Sequence, residues 1–120
     1  MIIPIKQPQE IEVWYVLPAV RKELVLALQE RNLSQKEIAH LLNLTEPAVS
    51  QYLHSKRAKD VAFPQDVKEF IVKACAKIKD QESAYQQIQK INEFIKKTKA
   101  ICRIHMSVEK GIEGCDVCYK

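Results

Sequence analysis

The stretch LSQKEIAHLLNLTEPAVSQYLHSKRA, residues 33–58, decides how the chain is read. Ser34 stands three residues before Glu37, the spacing at which a hydroxyl and a carboxylate cap each other's orphan amides at a helix start. A helix over Gln35–Leu42 follows. Asn43-Leu44 interrupts it, and Thr45 is placed to cap a second helix. Glu46 stands in that helix's first turn and Pro47 just inside, where a missing N–H costs nothing. The second helix runs to about His54. Ile38, Leu42, Leu44, Val49 and Tyr52 are the positions that face inward when two short helices cross steeply, and Ala39 gives the small side chain needed at their closest approach. The turn demands a residue that tolerates positive φ, which Gly does best and Asn next best.

Once those positions are buried, the second helix is expected to turn Thr45, Glu46, Ala48, Ser50, Gln51 and His54 outward. These side chains are short and mostly uncharged, which suits the reading of base edges in a major groove. Gln can pair bidentately with adenine, and a Ser hydroxyl serves either base or phosphate. Ser34 and Gln35, at the start of the first helix, complete the candidate contacts on that side. Lys56, Arg57 and Lys59 trail the second helix and are placed to grip a phosphate backbone. Phosphate contacts fix register and carry affinity, whereas base contacts fix sequence. An ordinary helical hairpin for protein contacts is the competing reading. It leaves unexplained why a capping box, a turn-forming Asn, an uncharged face and a basic cluster coincide.

SQKEIAHLLNLTEPAVSQYLHSKR resembles the helix-turn-helix of the phage-repressor-like (XRE-type) transcriptional regulators. Upstream, EIEVWYVLPAVRKEL, together with the CxxH and CxxC tail, resembles a group of small archaeal predicted regulators of that class. The resemblance implies a repressor-like helical domain that binds double-stranded promoter DNA by sequence, as a homodimer on paired half-sites. The chain departs from the pattern at Asn43, where Gly is preferred, and at His54-Ser55, which puts the preferred bases in doubt.

Working outward, Ile2–Gln9 holds Pro4 and Pro8 and reads as extended. Glu10–Val16 reads as a short buried helix, for lack of a second strand to pair with. Pro18 marks a kink or a fresh first turn. Ala19 to about Arg31 carries Val20, Leu24, Ala27 and Leu28 at helical spacing, and Asn32 suits its C-terminus. Pro64 starts a further helix to about Lys79. A last long helix is expected from about Glu82 to Ile104, lined by Ile88, Ile91, Phe94, Ile95, Thr98 and Ile101. That seam can pack on the preceding helix or on a second copy. Trp14, Tyr15 and Phe70 are expected in the core. The fold class is thus all-α: a repressor-like helix-turn-helix bundle over 1–63, then a helical dimerisation or regulatory extension over 64–120 with a short stapled tail.

The tail carries C-x2-H-x9-C-x2-C: Cys102 and His105 at the end of a predicted helix, Cys115 and Cys118 in CDVC after Gly114. Each pair is a chelating unit, and three soft thiolates with one imidazole suit tetrahedral Zn²⁺ in a structural or redox-sensing role. An iron–sulfur cluster is an alternative, with Cys75 recruited in place of His105. A disulfide or plain thiols complete the options, and Cys75 reads on its own as core filler.

Composition bounds the rest. The 120 residues make one compact domain, or one small domain with a helical extension. Nineteen basic and fifteen acidic side chains leave +4, a mild bias that fits nucleic acid without requiring it. The densest basic spots are residues 54–59 and 96–103. No apolar run is long enough for a membrane span and no secretory signal is visible, so the expected compartment is the cytoplasm. No Gly-rich phosphate loop, Ser–His–Asp set or convergent carboxylates can be found, so neither an enzyme nor a small-molecule substrate is expected. A protein-interaction adaptor using the same helices is the alternative function.

Overall fold

The structure is a computed structural model and describes residues 4–54, 61–109 and 111–119. Every regular element among the described residues is helical. Helix α1, Pro8–Ile11, opens with the Gln7 amide donating to Glu10 Oε1 at 2.9 Å. It runs without interruption through a π-helical turn, Glu12–Val16, into α2, Leu17–Glu30. The wide turn has a local cause. Pro18 has no N–H to give the Trp14 carbonyl, and its ring would collide with that carbonyl in a regular helix. Widening by one residue relieves the clash, and the Leu17 amide reaches back to the Glu12 carbonyl instead. The extra residue also swings Val13 and Trp14 out of the core. Trp14 is 61% exposed, which corrects its assignment to the interior, while Tyr15 and Phe70 are half-buried.

Helix α2 is the central post. It buries Ala19, Val20, Leu24, Val25 and Leu28 and packs against the π-helical turn and every helix that follows, up to α6. It ends with Asn32 left-handed at φ 67°, and Arg31 turns aside to cap another helix. The Arg31 guanidinium donates to the carbonyls of Cys75 and Ile78, at 2.8 and 3.2 Å, and so ties the end of α2 to the end of α5, Gln65–Cys75. Helices α3, Gln35–Leu42, and α4, Glu46–Leu53, pack on α2 and on each other.

Helix α6, Gln81–Lys97, starts where Asp80 accepts from the Ser83 amide at 2.7 Å, while Ser83 Oγ accepts from the Asp80 amide at 3.0 Å. Its apolar stripe packs against α5. Ile91 and Ile95 are fully buried, and Phe94 stacks on Phe70 with ring centroids 4.3 Å apart.

The expected continuous helix to Ile104 is broken. Lys99 is left-handed at φ 62°, and a separate helix, α7, spans Ala100–Val108. The break turns Ala100, Ile101 and Ile104 back onto α1, α6 and the π-helical turn, where all three are buried. A straight continuation would carry them off the end of the core, and their burial outweighs the cost of about 1 kcal/mol for a non-Gly residue in that conformation. One core cluster runs from Ile11 to Ile104 and draws on both 1–63 and 64–120. No helix among the described residues is long and apolar enough to cross a membrane.

Candidate nucleic-acid interface and the cysteine tail

The starts of α3 and α4 are capped by their immediate neighbours, and at the end of α3 the His40 carbonyl also accepts from Gln81 Nε2 of α6 at 2.8 Å. The Glu37 amide donates to Ser34 Oγ at 3.1 Å and the Ser34 amide to Glu37 Oε1 at 3.4 Å. The Ala48 amide donates to Thr45 Oγ1 at 3.2 Å. Between the helices Asn43 takes φ 55°, ψ 45°, the left-handed conformation that the turn demanded. The Leu44 amide then closes on the Ala39 carbonyl at 2.8 Å, and the Asn43 amide on the His40 carbonyl at 3.3 Å. Asn is among the few residues with a side chain that enter this region at low cost. Ile38, Ala39, Leu42, Val49 and Tyr52 are all buried as expected, and Leu44 is partly buried against them.

The outer surface is narrower than the sequence implied. Ala48 is 7% exposed and belongs to the core stripe, because Ala48, Val49 and Tyr52 share one face at i, i+1 and i+4. Thr45, Glu46 and His54 are exposed, and Ser50 and Gln51 are half-exposed. Ser34 and Gln35 are exposed at the start of α3. Lys56, Arg57 and Lys59 lie outside the described residues.

Ser50 and His54 act as a pair. His54 Nδ1 lies 2.7 Å from the Ser50 carbonyl, which can only accept, so Nδ1 carries the proton. Ser50 Oγ lies 3.3 Å from the same nitrogen. In the neutral ring, Nε2 is then the acceptor. Beyond α4, Lys96 of the second basic run pairs with Glu12 at 2.9 Å, while Lys97, Lys99 and Arg103 are exposed.

At the opposite end of the chain, α1, the end of α6, α7 and the tail enclose a cleft of about 530 Å³. Cys102, His105 and Cys118 line it together with Glu12, Glu93, Lys96 and Lys97. Cys115 is half-buried nearby in sequence but is not part of that lining. The Gly114 amide points at Met106 Sδ, 3.2 Å away, which ties the tail to α7, and Ile112 is fully buried. Gly111 and Gly114 both take positive φ on either side of Ile112.

Cys75 is buried in the core on α5 and is not part of the cleft lining. No cysteine forms a disulfide. Among the described residues no three His, Cys, Asp or Glu side chains are drawn together closely enough to hold an ion as they stand.

Glu109 is the residue that sequence reading missed. Its Oε2 accepts from the Ile5 amide at 2.9 Å and its Oε1 from the Lys6 amide at 3.1 Å, which fastens the N-terminal segment to the end of α7. Oε1 also stands 3.2 Å from His105 Nε2. The Ile5 and Lys6 amides, more than His105, hold the Glu109 carboxyl below its ordinary range against the opposing effect of burial. An acid four residues after a helical His was the available signal, since i and i+4 share a helix face. The partners on the far side, Ile5 and Lys6, left no trace in the sequence. No protein-family model, no curated protein and no solved structure matches the chain.

Proposed function

We propose that the chain is a sequence-specific double-stranded DNA-binding transcriptional regulator, with α3 and α4 as its helix-turn-helix and α4 as the helix that enters the major groove. The observation that carries this reading is the division of α4. Val49 and Tyr52 are sunk in the core, and the opposite side offers Thr45, Ser50, Gln51 and His54. A helix whose exposed groups are short and rich in hydrogen-bonding atoms is matched to base edges rather than to an apolar partner.

Gln51 suits the N6 and N7 positions of adenine. His54 with its proton on Nδ1 offers Nε2 as an acceptor, which suits the amino group of cytosine or adenine and disfavours guanine O6. Ser34 and Gln35, at the start of α3, are placed for the backbone, and Lys56, Arg57 and Lys59 supply the cationic grip. A homodimer would set two copies of α4 about 34 Å apart, one turn of the duplex.

The test is equilibrium binding to duplex DNA across a salt series. A logarithmic slope of several units, falling by about 0.9 for each phosphate contact removed, is the expected signature, and Lys56→Ala should lower it for every duplex alike. Salt-independent binding, or retention of a protein partner with no duplex bound, would assign the same surface to an adaptor.

A further inference from the structure

We propose that Cys102, His105, Cys115 and Cys118 form a tetrahedral zinc site that closes the C-terminal tail over the cleft between α1 and α7. Two independent observations carry it. The sequence supplies two chelating pairs, C-x2-H and C-x2-C, with the donor set of a closed structural site. The fold then sets one member of the second pair in the same cleft as the first. The intervening loop doubles back so that Ile112 is buried, Gly114 rests on Met106, and Cys118 lines the same cleft as Cys102 and His105.

The surroundings are those of a metal ligand set. Glu109 Oε1 engages His105 Nε2 at 3.2 Å, the outer carboxylate that orients a ligating imidazole, and leaves Nδ1 as the donor to the ion. Cys115 is the ligand that must travel, and Gly114, at φ 75° with nothing within 4 Å of the position its side chain would occupy, is the place where the backbone can turn. Binding takes three thiolates, so three protons leave to solvent as Zn²⁺ enters. Cys75, buried on α5, takes no part.

The site is tested without DNA, so its failure and that of the regulator reading are distinguishable. Purified full chain is stripped with chelator, reloaded with Zn²⁺ and analysed for metal. Co²⁺ is titrated in parallel as the spectroscopic probe of tetrahedral thiolate coordination. One zinc per chain is expected, with thiolate-to-cobalt absorption that weakens stepwise in Cys115→Ser and Cys118→Ser. Both substituted residues lie on the tail outside the core, so these variants should keep the helical circular-dichroism signal. Cobalt affinity should fall at least tenfold in each. Less than half a zinc per chain, cobalt spectra unchanged in both variants, or a brown iron–sulfur chromophore that requires Cys75 would overturn the site.

Discussion

The α3–α4 unit and the α7–tail unit are held in opposite ways. In the first, most of the polar contacts at the helix ends lie within five residues: Ser34 with Glu37, Thr45 with Ala48, Leu44 with Ala39; the His40 carbonyl, which also accepts from Gln81 Nε2 at 2.8 Å, is the exception. In the second, the decisive contacts span the chain, since Glu109 fastens Ile5 and Lys6 more than a hundred residues away. Local chemistry therefore makes α3–α4 a rigid platform that its own sequence dictates. The α7–tail unit depends on where the rest of the protein puts it.

The comparison can be broken most severely at its shared base. Ile38→Ala removes a fully buried side chain between α3 and the core and should lower stability by about 2–5 kcal/mol in chemical denaturation. The loss should be global, because one core cluster serves both units. A local loss confined to α3 would separate them. Next is the turn. Asn43→Val forces a branched side chain into the left-handed region and should cost about 1–2 kcal/mol, whereas Asn43→Gly should be neutral or slightly stabilising. Equal behaviour of the two variants would show that the turn does not set the angle between the helices. Ser34→Ala should then cost about 1 kcal/mol by removing the cap of α3.

On the other side, Glu109→Gln should leave the thermal midpoint nearly unchanged while speeding amide hydrogen exchange at Ile5 and Lys6. Uniform acceleration across α3 and α4 would contradict the division. The smallest effect is an acid one at the start of α6. The Ser83 amide and hydroxyl hold the Asp80 carboxyl below its ordinary range, so its contribution is present above the unfolded value and lost as pH falls through the folded one. Asp80→Asn should keep the cap and flatten that part of the pH profile.

The same contrast explains what the sequence disclosed. The helices flanking Asn43, their caps and their buried stripe were legible because each depends on residues three to five apart. Ala48 was misplaced because a small residue beside the boundary of a helical stripe carries no marker of which side it joins. Trp14 was misplaced because the π-helical turn arises from a clash with Pro18, which shifts the face of every residue in that turn. The break at Lys99 was invisible. KKTKA contains no Gly or Pro, and the helix stops only because Ile101 and Ile104 find the core by turning back. That Cys118 lines the same cleft as Cys102 and His105 was not legible, since the path of the loop around a buried Ile112 has no marker in the sequence.

The measurement that bears most directly on the central claim is selection from a random-sequence duplex pool by the full chain and by Gln51→Ala. The account predicts one enriched motif for the native chain. It predicts a change confined to one or two positions for the variant, with a loss of about 1–3 kcal/mol on the original motif. An identical motif from both proteins, or no enrichment over the starting pool by either, would contradict the assignment of α4 as the reading helix.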